Sequence, residues 1–240
     1  MRTALLAFLL GLAIPAFTAG PRAVQCVIIA LSGKVAVLRA GDKVQVPAKK
    51  GDFIYEGDEI ITAKGGLASV ALTGGAEVRV NADSTLKFGS SAGEAQKTEM
   101  KSGQIWSRLL HGHAQLHVNT GNAVAAVRGT EADIKMRGEL TVKVYEGVVD
   151  VINAFGKTTL NQGQTTKVTG PDAAPALPQP MAPTDSETWQ KGISADDKTK
   201  NDLLKKLDDE AAKAPEKTLK LKVEQDGKQK TIRIKFKKGE

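Results

Sequence analysis

Glycine recurs through the middle of this chain at a nearly fixed interval. Seven glycines, at 103, 112, 121, 129, 138, 147 and 156, are separated by 9, 9, 8, 9, 9 and 9 residues. Between them lie alternating, β-branched segments such as Leu140, Val142, Val144 and Val149, Val151. A strand of about five or six residues plus a tight turn fills such an interval. Glycine suits turns whose backbone needs φ > 0, because it lacks the Cβ that strains other residues there. The chain is therefore expected to be mainly β, with many short strands.

Upstream, Val24 to Leu31 and Val35 to Leu38 read as opening strands, with Ser32-Gly33 turning between them. Val70 and Leu72, Val78 and Val80, then Leu86 and Phe88 keep period-2 alternation, the mark of half-buried strands. Such strands stack as a sandwich, a barrel or a β-solenoid, and the even turn spacing favours the solenoid. The polar stretch from Gly89 to Gln96 reads as a loop.

Val127-Arg128-Gly129-Thr130-Glu131, followed by Val144-Tyr145-Glu146-Gly147-Val148-Val149-Asp150-Val151, resembles the paired motifs of the FecR domain family. Gly57-Asp58-Glu59-Ile60-Ile61-Thr62, Ser69-Val70-Ala71-Leu72, Asn81-Ala82-Asp83-Ser84-Thr85-Leu86 and Lys101-Ser102-Gly103-Gln104-Ile105 are similar to earlier family segments, in the right order. The lysine at 101 departs from the family's leucine. The resemblance covers roughly residues 30 to 170, and its specificity lies in the ordered set. It implies a FecR-like stack of short strands, solenoid-like or sandwich-like, and a place in the bacterial cell envelope. Signalling members of the family carry a cytoplasmic anti-sigma region, a transmembrane helix and a periplasmic domain that receives the state of an outer-membrane receptor. Here apolar residues begin at Ala4, which leaves no such anti-sigma region in the expectation.

Residues 1–20 have the build of a secretory signal peptide: Arg2, an apolar run from Ala4 to Ala16, then small residues at Thr18, Ala19 and Gly20. The expected location is periplasmic or secreted, with no transmembrane helix after signal cleavage. An uncleaved anchor is the alternative. The single cysteine, Cys26, excludes an intramolecular disulfide and reads as a small buried hydrophobe.

Five of the nine prolines fall at 171, 175, 178, 180 and 183. This alanine- and proline-rich stretch, 171–183, reads as a semi-rigid linker between a β domain at 22–170 and a module at 184–240. In that small α+β module, Ser194, Asp196 and Asp197 open a helix, and Leu203, Leu204, Leu207 and Ala211 mark its apolar stripe. A hairpin follows, turning at Asp226-Gly227. It sets Leu221 opposite Ile232 and Leu219 opposite Ile234, and the helix leucines are expected to cover that face. Lys220, Lys222, Arg233, Lys235 and Lys237 occupy the other face, a candidate anion-binding surface. From Lys213 to Glu240 there are ten Lys/Arg and four Asp/Glu, a balance of +6 out of the whole chain's +7.

No catalytic motif is recognised, so the chain reads as non-enzymatic, and no cofactor is implied. His111, His113 and His117 are metal candidates without an evident fourth ligand, and a polar loop between two strands is the preferred reading. Arg128, Gly129, Thr130, Glu146 and Gly147 read as structural, with Arg128 stapling turn carbonyls. Trp106 and Trp189 read as packing residues. The resulting expectation is an exported FecR-domain protein that binds an envelope protein partner. Binding of an anionic glycan or lipid surface through the basic hairpin is the rival, metal binding is third, and nucleic acid is not expected.

Overall fold

The computed structural model describes residues 22–89, 95–109, 115–213, 217–225 and 228–236. The first half of the chain forms β1 (Val24–Ser32), β2 (Val35–Leu38), β3 (Gln45–Pro47), β4 (Phe53–Tyr55), β5 (Glu59–Thr62), β6 (Leu67–Leu72), β7 (Ala76–Val80) and β8 (Ser84–Phe88). Next come β9 (Ala95–Leu109), β10 (Gln115–Asn119), β11 (Val124–Arg137), β12 (Glu139–Asn153), β13 (Gly156–Asn161), β14 (Gln164–Val168) and β15 (Gln179–Pro180). Helix α1 (Asp197–Ala212) and the hairpin β16 (Lys217–Gln225) and β17 (Lys228–Phe236) close the described chain.

The strands form two layers joined by three shared members. In the first layer β3, β2, β5 and β8 lead to the start of β9, followed by β10, the start of β11, the end of β12, and β13. In the second, β4, β1, β6 and β7 lead to the end of β9, followed by the end of β11, the start of β12, β14 and β15. One hydrophobic core lies between the layers, drawing Val37, Ile60, Phe88, Leu116 and Val149 from the first and Ile28, Val70, Ile105, Ile134 and Val142 from the second. All pairings within the two layers are antiparallel except β9 with β10. A solenoid would stack parallel rungs; antiparallel meanders in two layers are the sandwich-like form of the mainly β fold.

The glycine beat has a different cause from the one its spacing suggests. Gly103, Gly129 and Gly147 sit inside β9, β11 and β12, where each strand passes from one layer to the other. The β11–β12 register breaks between Arg128 and Ala132, so the corner is a bulge. Gly103 has φ +115, and a Cβ there would lie 2.1 Å from Ser84 Oγ and 2.5 Å from Ser84 Cα. A residue without a Cβ is required where two layers come this close.

The proline-rich stretch is extended and lies along the sheet. The Ala176 N–H donates to Lys167 O at 2.9 Å and the Met181 N–H to Gly163 O at 2.8 Å, while Asn153 Nδ2 donates to Ala173 O at 2.7 Å. Helix α1 starts later than expected: Asp196, not Ser194, is the cap, its carboxylate accepting from the Thr199 N–H at 2.9 Å. Among the described residues the helix leucines are seen on β1. Leu203 and Leu207 pack on Val24, Val27, Ile29 and Ala71, with Phe53, Tyr55 and Leu204 around them. Strand β1 alternates its side chains between the core (Cys26, Ile28) and this second cluster, so both its faces are buried.

Hairpin register matches the alternation in the sequence: Leu219 opposite Ile234, Lys220 opposite Arg233, Leu221 opposite Ile232. The Asp226-Gly227 turn, Lys237, the centre of the 89–96 loop and the leader at 1–20 lie outside the described residues. Among the described residues no helix is long and apolar enough to cross a membrane.

Candidate functional site

The FecR-like motif residues converge on the layer-crossing corner. Arg128 is the last residue of β11 paired in the first layer before the bulge, and Glu131 lies beyond it, opposite Glu146. Gly147, on the partner strand, has φ 83. Among the described residues Arg128 meets an acid rather than turn carbonyls. Its guanidinium pairs with Asp150 on β12, because alternation puts both side chains on the outer face of the first sheet. Lys157 Nζ at 3.2 Å and Thr159 Oγ1 at 2.6 Å complete the surroundings of Asp150. Beyond the corner, Glu131 accepts from Trp106 Nε1 at 2.9 Å and Arg108 at 3.1 Å. Trp106 thus lies buried on the outer face of the second sheet, flanked by the guanidinium carbons of Arg79 at 4.7 Å and Arg108 at 5.4 Å from its ring centre.

Pairing also defines the outer face of the first sheet. One row across it is Lys97, His117, Ala126, Asp150 and Thr159; the next is Glu99, Asn119, Val124, Ile152 and Lys157. Burial, then Lys97 and Arg128, push the His117 imidazole below its usual pKa. His111 and His113 lie outside the described residues. Among the described residues no three metal-ligating side chains come together.

The outer face of the second sheet is covered instead. The chain crosses it through two 3-10 turns, Pro183–Asp185 and Trp189–Gly192, before entering α1. Lys143 Nζ reaches Glu187 at 3.0 Å and Asp185 O at 2.8 Å, and the Glu187 N–H donates to the Tyr145 hydroxyl at 3.0 Å. Trp189 Nε1 donates to Asp133 at 3.2 Å, and Arg79 donates to Gln190 O at 2.7 Å. Further along, Lys200 Nζ meets Glu77 at 2.7 Å and the Tyr55 hydroxyl donates to Glu210 at 3.0 Å. Sequence reasoning missed these partners. Asp133 lies between inward-facing Ala132 and Ile134, a pattern that assigns it to the outer face without saying that the face is covered.

Asp58, from the Gly57-Asp58 segment, is buried and ties four neighbours together. It pairs with Arg22, accepts from Arg39 at 2.7 Å, and accepts from the amides of Ala40 at 2.9 Å and Tyr55 at 3.1 Å. Burial alone would raise its pKa, but Arg22, the Ala40 amide, Arg39 and the Tyr55 amide together hold it below the ordinary carboxylate range. The Asp beside this turn glycine serves the backbone, as its position suggests.

The basic residues of the hairpin share one alternating set by register, with Lys220 opposite Arg233, Lys222 opposite Thr231 and Lys235 opposite Thr218. They belong to a pairing unit separate from the layer-crossing corner.

No curated protein matches the chain significantly. Two crystal structures, at 1.65 Å and 2.50 Å, of a protein from Parabacteroides distasonis assigned as an anti-sigma factor are similar at 20% identity and a TM-score of 0.45. Each match covers 51% of this chain and 59% of that protein, so the chain spans less than two thirds of its length. Residues 58–150 match the family described as FecR protein, a span that includes the Asp58 turn, the Gly103 crossing and the Arg128–Gly147 corner. Over residues 58–150 the chain is thus FecR-like.

Proposed function

We propose that this chain is an exported, non-enzymatic FecR-domain protein that receives a protein partner in the bacterial cell envelope. The observation that carries the reading is the FecR match over residues 58–150, whose motif residues form the corner that fixes the first sheet. The leader-like residues 1–20 support export. The outer face of the first sheet is the proposed docking face. It sets partly exposed Val124, Val148 and Ile152 among Lys97, Arg128 and Lys157, a surface suited to a partner offering apolar and acidic groups. The second sheet's outer face is already occupied by residues 183–212. A photo-crosslinker at Lys97, on the docking face, tests this in intact cells against the same group at Lys206 on α1. The reading expects an envelope-protein adduct from position 97 that still forms when irradiation is done in high salt, and none from position 206.

Placement of Lys220 directly opposite Arg233 favours a second reading. Like charges so paired are destabilising, and an anionic glycan or lipid surface offsets that cost. Each lysine near such a surface contributes about 1 kcal/mol, falling off within a Debye length. Retention of the full chain on anionic vesicles at low salt, lost at about 0.5 M salt, where screening is short-ranged, and lost in Lys222→Glu, Lys235→Glu, supports it. Equal retention of wild type and variant leaves the lysines as a solvated face.

A further inference from the structure

The segment crossing the second sheet is fastened at a carboxylate that, among the described residues, has no cation in ion-pair contact. Asp133 is 1% exposed. Its oxygens accept from Gln104 Nε2 at 2.9 and 3.1 Å and from Trp189 Nε1 at 3.2 Å, all neutral donors. Lys143, the nearby cation on β12, is spent on Glu187 and the Asp185 carbonyl. The other groups around this site are the Tyr145 phenol from β12, Glu131 from β11 itself, and Glu187 from the crossing segment. Of these acids Glu187 acts on Asp133 with the sign that discourages a second negative charge, while Glu131 is paired with Arg108.

We propose that residues 183–193 form a latch on the second sheet, closed when Asp133 is protonated and loosened when it ionises, so that the face beneath opens as pH rises. Burial pushes the Asp133 carboxyl up to about 7; Glu187 adds to the rise, while Gln104, Trp189 and Lys143 oppose it. Tyr145, raised to about 12 by burial first and then by Asp133, Glu187 and Glu131, stays a neutral phenol and does not neutralise the site. The latch is separable from the helix that follows. Helix α1 is held by Leu203 and Leu207 in an apolar cluster and by Lys200 on Glu77, contacts that do not involve Asp133.

The sign follows from linkage. A released, hydrated aspartate titrates near its usual value of about 3.9. The closed state therefore favours the proton, and closure is strongest below about pH 4. Between there and about pH 7 the opening equilibrium rises roughly tenfold per pH unit, two to three orders of magnitude in all, then levels off. The inference concerns the chain's own conformational equilibrium and stands whichever partner the FecR domain receives.

Amide hydrogen exchange on the intact protein, corrected for intrinsic rates and followed from pH 5 to 8.5, tests it. The informative amides are Glu187, which donates to the Tyr145 hydroxyl, and Lys191, which donates to Thr188 O. Their protection should lie below that of core amides in β11 and β12 at every pH, and should fall at least tenfold between pH 5 and 7.5. Asp133→Asn should flatten the profile. Protection that is flat with pH in the wild type, or equal to that of the core strands, overturns the latch. Should the variant misfold, carboxyl-carbon NMR titration of wild-type Asp133 decides: a midpoint near 7 supports the latch and one near 4 overturns it.

Discussion

The guanidinium of Arg128, at the point where β11 leaves the first sheet, pairs with the carboxylate of Asp150 on the adjoining strand. Arg128 is half exposed and Asp150 almost wholly enclosed, at 53% and 5% side-chain exposure. The exchange is therefore unequal. Arg128→Lys should cost no more than about 1 kcal/mol, because its side of the pair is screened by solvent. Asp150→Ala should cost about 1–3 kcal/mol, since it strips a partner from Arg128, Lys157 and Thr159 at once. Urea unfolding of the two variants checks the order. A larger loss in Arg128→Lys would move the main burden to the arginine.

The crossing glycines should be among the least replaceable positions. Gly103→Ala drives a Cβ into the backbone and side chain of Ser84 and should lose more than about 2 kcal/mol, above the run of ordinary substitutions. Gly147→Ala, at φ 83, should lose more than about 1 kcal/mol from backbone strain. Gly138→Ala, also at positive φ but with open space around it, isolates the conformational part of the effect. Thermal melts in which all three behave alike would contradict the close approach at Gly103.

Helix α1 belongs energetically to β1. Leu207 is fully buried against that strand's outer face, so Leu207→Ala should cost about 2–5 kcal/mol by the usual cavity and transfer terms. Exchange protection should fall in α1 and β1 together. Protection lost only in β16 and β17 would restore the helix to the hairpin.

Acid and base should act on different carboxylates. Asp58 and Glu77 have depressed pKa values, in each case because cations and hydrogen bonds outweigh burial. Their stabilisation is present above about pH 4 and is lost as pH falls through their folded values. Asp133 has the opposite shift, so its contribution is full below about pH 4 and is lost as pH rises towards 7. Stability should peak near pH 4–5. Asp133→Asn should remove the slope between pH 5 and 7 and leave the acid limb in place. Chemical denaturation across pH 3–8 reads both limbs.

The β character, the alternation and the hairpin register were legible because each depends on local period and turn chemistry. The run Val24-Gln25-Cys26-Val27-Ile28-Ile29 also held a clue: an apolar stretch with little alternation is the pattern of a strand covered on both sides. The layered arrangement was not legible, since a regular glycine spacing cannot distinguish a turn from a corner inside a long strand. Gly103, Gly129 and Gly147 have the second role, Gly121 and Gly138 the first. The site around Asp133 depends on contacts 54 and 56 residues away, to Glu187 and Trp189, and no local pattern pairs residues so distant. The acceptor of Arg128 was not legible, because both turn carbonyls and a cross-strand acid satisfy a guanidinium.

The most direct measurement is photo-crosslinking from position 97 in intact cells, followed by mass spectrometry of the adduct. The account predicts a specific envelope protein on the first sheet's outer face, captured equally when about 0.5 M salt is present before and during irradiation because apolar contacts resist screening, with no such adduct from position 206. Adducts confined to glycan or lipid and not formed when salt is present at irradiation, or equal capture from both positions, would contradict it.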